Sequence, residues 1–182
     1  MRKLICLVIL AVIVSFTSTA IAGDLRYGLN LMPVGHSNEE RRCIDSGWGV
    51  EIGYDHTLYN HNFNSLISFD VDVGPELVYS NYQTAYREKA SHPRSDRRRE
   101  SSLNLSGIIK PTFNIGRVSL YGIGGIGRDW QQENGHDGSY TYGAGVDLRL
   151  TNKVSFGVST KNINRNDTGT YTYITTLIKM PF

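Results

Sequence analysis

Seven basic or titratable side chains crowd one short stretch: Arg87, Lys89, His92, Arg94, Arg97, Arg98 and Arg99. Glu88, Asp96 and Glu100 offset them only in part. Guanidinium groups grip phosphate or sulfate through paired N–H donors, so the chemistry on offer there is anion binding. A second set of charges is spread along the chain: Arg26, Glu51, Asp55, Asp70, Asp72, Lys110, Asp147, Arg149 and Lys179. Each falls on the polar phase of an alternating run. Turned into one interior they have to pair, because an unpaired buried charge is costly. His36-Ser37, with Glu39 or Glu40 close by, supplies the residue types of a hydrolase. Nucleophile and base must sit within hydrogen-bond reach, which chain neighbours often do not, so this stretch is read as a solvated loop. His56 and His61 flank a turn without a third ligand, so no metal site is expected, and no pattern asks for a cofactor. Cys43 is read as a loop thiol.

The elements that must position these groups are strands. Over residues 140–150, Tyr140, Tyr142, Ala144, Val146, Leu148 and Leu150 alternate with Thr141, Gly143, Gly145, Asp147 and Arg149. That is the period of two of a strand with one apolar and one polar face. The same alternation predicts a first strand over 24–31, a second over 47–57, and a third from 63 through Pro75 toward 82. It predicts a fourth over 102–113, a Gly-rich fifth over 117–128 of ambiguous facing, a seventh from 154 and an eighth ending on Phe182. Pro75 cannot donate a ladder hydrogen bond, so a bulge or kink is expected there. The connections over 33–46, 85–101, 129–138 and 162–169 are long and polar; those at 59–62, 114–116 and 151–153 are short.

This alternation of short and long connections is the signature of a barrel inserted from one side. The expected fold is all-β, an eight-stranded antiparallel up-and-down transmembrane β-barrel, with the charged alternate faces turned into a narrow lumen. Tyr27, Trp48, Tyr54, Tyr140, Tyr171 and Tyr173 are then expected in the interfacial girdles. The rival is a secreted soluble barrel with an apolar interior, since period two alone does not say which face is in. Polar side chains filling so small a lumen predict a charge network rather than a channel, with a small gated pore as the alternative.

Residues 1–22 read as a cleaved secretory signal: Arg2 and Lys3, an apolar run over 4–16, then Ala20-Ile21-Ala22. The barrel domain is then 23–182. Cleavage takes the 19 Lys and Arg down to 17, equal to the 17 Asp and Glu, so no basic field suggests nucleic acid. A single cysteine, Cys43, follows the signal, so no internal disulfide is expected.

The run Tyr142-Gly143-Ala144-Gly145-Val146-Asp147-Leu148-Arg149-Leu150-Thr151-Asn152-Lys153 resembles the sixth strand and turn of the OmpA-like and opacity-type small outer-membrane barrels. Leu120-Tyr121-Gly122-Ile123-Gly124-Gly125-Ile126-Gly127 resembles their Gly-rich fifth strand, and Phe182 their terminal aromatic assembly signal. The resemblance implies a bacterial outer-membrane location and contact with membrane lipid and the barrel-assembly machinery. It also implies a structural or adhesion-like role without catalysis, and the sequence up to Phe182 carries no peptidoglycan-binding domain. The basic residues 87–99 are then the external candidate for lipopolysaccharide phosphates or anionic host or environmental glycans. His36 and Ser37 weakly resemble the His and Ser of outer-membrane lipid A deacylases, which keeps an enzyme acting on lipid A as the alternative.

Overall fold

The computed structural model of the chain describes residues 23–32, 35–36, 42–86, 97–131, 135–165 and 169–181. They form eight strands: β1 (Asp24–Met32), β2 (Arg42–Asn62), β3 (Ile67–Tyr86), β4 (Arg97–Ile115), β5 (Val118–Gln131), β6 (Gly135–Arg149), β7 (Ser155–Arg165) and β8 (Gly169–Pro181). A two-residue strand, Gly35–His36, prolongs β1. It pairs Gly35 with Ile44 and His36 with Cys43, in the register that already sets Met32 against Gly47. Each strand runs antiparallel to the next, and β1 closes the ring on β8 from Asp24 opposite Pro181 to Leu31 opposite Ile174. Closure pairs every strand on both sides, which is what a sheet needs to cross a layer without water.

The two faces are inverted relative to a water-soluble fold. On β1, Leu29 and Leu31 are exposed while Arg26 and Asn30 are buried. Trp48, Ile52, Ile109, Leu120, Val146 and Ile178 also point out, and Glu51, Asp55, Lys110 and Lys161 point in. This excludes the soluble barrel with an apolar interior. Such an outer wall is stable only against lipid. On β5, whose facing was ambiguous, Tyr121, Ile123 and Asp129 turn inward and Leu120, Ile126 and Trp130 outward.

Several expectations need correction. The strands are longer at the end with the long connections: β2 has 21 residues, β3 has 20 and β4 has 19. Backbone pairing continues past the apolar belt because ladder hydrogen bonds are indifferent to side-chain polarity. Residues 42–46, 97–101 and 135–138 are therefore strand, not loop, and Arg97, Arg98 and Arg99 belong to β4. Residues 59–62 are strand as well, and the turn falls at 63–66, closed by Phe63 N–H donating to the Ile67 carbonyl at 3.0 Å. No bulge sits at Pro75, because the β3–β4 register runs unbroken through Pro75 opposite Gly107. The β2–β3 register slips instead at two places, at Ile44/Ser46 and at Thr57/Tyr59, where Leu58 is the extra residue. That one-residue slip keeps Tyr59 and His61 on the outer face. There they join Phe63, Phe69 and Phe113 in a chain of ring contacts, with His61 edge-on to Phe63 at 4.8 Å.

The turn expected at 114–116 is the two-residue loop Gly116-Arg117 between paired Ile115 and Val118. Gly116 has φ +60° and no other described non-glycine residue has positive φ, the pattern of a type II′ hairpin. A Cβ there meets nothing within 4 Å, so the cost of Gly116→Ala is purely conformational. It is expected to destabilise the barrel by about 1 kcal/mol, read as a lower urea midpoint in detergent micelles.

Candidate functional site

The chemistry is concentrated in the lumen. Arg26 projects inward from β1 because its neighbours Leu25 and Tyr27 take the outer face. Its guanidinium holds three carboxylates at once. Nη1 donates to Glu51 at 2.8 Å, Nη2 to Glu76 at 3.1 Å, and Nε to Asp55 at 3.0 Å. Gly53 makes this possible, since a Cβ there would stand 2.6 Å from Nη2. Lys161 of β7 crosses the lumen to Glu51 and to Glu76, the latter at 2.9 Å. Lys110 of β4 donates to Asp55 at 2.6 Å, with its Nζ 4.6 Å from the centre of the Tyr121 ring. Lys179 reaches Asp24 at 2.8 Å and Asp55 at 3.6 Å. Arg26, Glu51, Asp55, Glu76, Lys110 and Lys161 are all buried. Charges this deep are tolerated because each carboxylate meets at least two cations.

Toward the end with the long connections the lumen is closed again by apolar packing. Met32, Val78, Tyr82, Ile163, Tyr171 and Tyr173 form one buried cluster. The rings of Tyr82 and Tyr171 lie 5.4 Å apart, and Ser80 Oγ donates to Tyr173 Oη at 3.3 Å. Tyr171 and Tyr173 are therefore plug residues, not girdle residues; Thr170, Thr172 and Ile174 hold the outer phase of β8. Tyr54 is buried too, its ring against Gly23. Trp48, edge-on to Tyr79 at 6.3 Å, and Tyr27 and Tyr140 do lie exposed on the outer wall.

At the other end the lumen opens into a polar cavity of about 350 Å³. Asp70, Asp72, Asp147, Arg149, Lys110 and Lys179 are among its lining residues. Asp70 is held by Asn60 and Asn114, both at 2.5 Å, and Asp72 accepts from Thr57 Oγ1 at 2.6 Å. The sequence-derived charges thus fall into two places. Arg26, Glu51, Asp55 and Lys110 meet in the central cluster, while Asp70, Asp72, Asp147 and Arg149 line the mouth.

Glu76 and Lys161 complete the cluster and were missed. Both lie on the inward phase of their strands. Glu76 lies between Pro75 and Leu77 on a run followed past Pro75 only through its apolar phase, and the seventh alternating run was ended at Ser159, short of Lys161. Reading the polar phase of both runs to the end would have found them. Of the basic stretch, Arg87, Lys89 and Arg94 lie outside the described residues, as do Ser37, Glu39, Glu40 and Phe182. Arg97 and Arg98 are placed in β4 by their backbone, and Arg99 is exposed. His36 pairs through its backbone with Cys43 and Thr170. Among the described residues no group of three His, Cys, Asp or Glu side chains is arranged to hold a metal.

Residues 5–177 match a family model described as outer membrane protein beta-barrel domain. Among solved structures, the outer membrane enzyme PagL is similar at 14% identity and a TM-score of 0.51, covering 87% of this chain and 99% of its own. Ail, the attachment invasion locus protein of Yersinia pestis, is similar at 15% identity and a TM-score of 0.49, covering 90% of this chain and 100% of its own. No curated protein sequence matches the chain. At such identities the likeness to PagL is one of fold.

Proposed function

The chain belongs to the outer membrane protein β-barrel family and resides in the bacterial outer membrane, and we propose that within it the protein is a non-enzymatic, non-conducting scaffold that carries a surface-recognition, adhesion-like role. The observation that supports this most is the filled lumen. An ionic cluster around Arg26 and an apolar cluster around Tyr82 and Tyr173 lie one above the other. Both are made of buried side chains inside the ring, as expected when eight strands close around their own side chains. With the interior used for stability, the surface available for recognition is the tall β2–β4 wall at the end with the long connections. In an outer-membrane barrel that end faces outward. The basic stretch that includes Arg87, Lys89, Arg94, Arg97, Arg98 and Arg99 lies there in sequence, between β3 and the start of β4. Its ligand class is polyanionic: a sulfated glycan or the phosphates of lipopolysaccharide.

Two readouts test the reading. Purified barrel in a planar lipid bilayer is expected to show no unitary openings; a steady ohmic conductance would overturn the non-conducting part. Cells displaying the protein are expected to retain heparin at low salt, with at least a 10-fold loss when Arg97, Arg98 and Arg99 are all changed to glutamine. Unchanged heparin retention by that variant would remove the basic stretch as the site. Lipid A of unaltered mass in cells with and without the protein is the matching expectation for a barrel without catalysis.

A further inference from the structure

The outer wall of β5 contains one residue that does not belong against lipid. Its outward positions read Val118, Leu120, Gly122, Gly124, Ile126, Arg128 and Trp130. Arg128 is exposed, between Ile126, which is 69% exposed, and Trp130. By register it stands opposite Leu105 on β4 and Gly138 on β6. Every Asp and Glu of known facing on the described strands lies on the inner phase, and no described residue pairs with Arg128. Among the described residues this cation has no protein counter-ion.

Its height along the barrel says what could supply one. From Val118, beside the short turn, Arg128 is ten residues up β5. At the rise of a tilted strand that is about 25 Å, the height of the apolar band of an outer-membrane barrel. By register exposed Tyr79 stands level with Trp130 and exposed Tyr140 level with Ile126, so aromatic rings bracket Arg128. Arg128 is therefore at the upper rim, at the depth of lipid headgroup phosphates rather than of acyl chains. Gly138 opposite it carries no side chain. His136, opposite Trp130, is the diagonal neighbour on β6, within about 7–8 Å. By register a guanidinium, an exposed imidazole and an exposed indole are thus neighbours on the outer wall, and no carboxylate of known facing among the described residues shares that face.

We propose that Arg128, with His136 and Trp130, forms a docking site on the outer wall for the phosphorylated sugar headgroup of an outer-leaflet glycolipid. The guanidinium takes the phosphate through two parallel N–H donors, while the indole packs on the sugar and donates to it. The occupant is a phosphoglycolipid because this exposed cation lies at the external end of the lipid-facing wall of an outer-membrane barrel. The site rests on family membership and on the orientation that follows from it. It is separate from the basic stretch proposed above for recognition, so the failure of either leaves the other standing.

The experiment is native mass spectrometry of the purified full-length barrel, released from detergent after incubation with bisphosphorylated lipid A, dephosphorylated lipid A or phosphatidylglycerol. Wild type is expected to retain one bisphosphorylated lipid A at least 5-fold better than either of the other two. Arg128→Gln should abolish that preference and Arg128→Lys should keep only part of it, since a lysine lacks the fork. Arg117→Gln, in the short turn at the opposite end of β5, should leave it unchanged. Because position 128 faces outward, all three variants should keep the heat-modifiable gel mobility of a folded barrel. Equal retention of phosphatidylglycerol, or of lipid A without its phosphates, would overturn the proposal. So would Arg128→Gln binding like wild type.

Discussion

Arg26→Met is expected to destabilise the barrel by about 3–5 kcal/mol, the cost of leaving a buried charge cluster without one partner. The side chain is nearly isosteric along its stem, so the loss is electrostatic rather than a cavity. Three carboxylates, Glu51, Asp55 and Glu76, lose their shared cation. Lys161, Lys110 and Lys179 remain, but Lys161 already serves both Glu51 and Glu76, and Lys179 is shared by Asp55 with Asp24 and Asp72. Arg26→Lys should fall between, because a point charge cannot span three acceptors. The diagnostic variant is the double change Arg26→Met with Glu76→Gln, which removes one excess negative charge and should recover part of the loss. Urea midpoints from the heat-modifiable band shift give the comparison. A midpoint for Arg26→Met within about 0.5 kcal/mol of wild type, or a double variant less stable than the single one, would sink the account of the cluster.

The second large effect is a contrast between two glycines on facing strands. Gly74 of β3 is opposite Ile108 and Gly107 of β4 is opposite Pro75, so the two are one register step apart. A Cβ on Gly74 would lie 1.6 Å from the backbone oxygen of Tyr54 on β2, whereas a Cβ on Gly107 would meet nothing within 4 Å. The obstruction at Gly74 is main chain, so no rotamer change relieves it and β2 would have to move away from β3. Gly74→Ala is therefore expected to cost about 3 kcal/mol or to block assembly outright. Gly107→Ala should be neutral or slightly stabilising, since alanine loses less backbone entropy than glycine in a strand. Two folded barrels of equal urea midpoint would show that the close approach of β2 to β3 is wrong.

Much of the fold was legible because a strand writes its two faces directly into the sequence. Leu29 and Leu31 against Arg26 and Asn30, or Ile109 against Lys110, reveal the period of two before any contact is known. The alternation of short and long connections then supplied the barrel, and the charged phase supplied its interior. Where these expectations failed, the failures were local. Past Pro75 only the apolar phase was followed, and the seventh run was ended at Ser159, which hid Glu76 and Lys161. Runs of charge over 97–100 read as loop, although a hairpin standing clear of the bilayer keeps its ladder whatever its side chains. The slip at Leu58 was invisible because one extra residue in an alternating run looks the same as a turn.

By itself, then, the sequence determined which face of each strand is polar, how many strands alternate and which charges share a side. Those are properties of consecutive residues, carried by the geometry of a single extended chain. Only the tertiary structure decided which charges meet. Arg26 comes from β1, Glu51 and Asp55 from β2, Glu76 from β3, Lys110 from β4 and Lys161 from β7. Their meeting depends on the relative stagger of strands around a closed ring, which sets heights in the lumen across up to 110 residues of chain. The same stagger brings Tyr82 against Tyr171. Stagger is fixed by closure and by the Leu58 slip, and no local pattern encodes it.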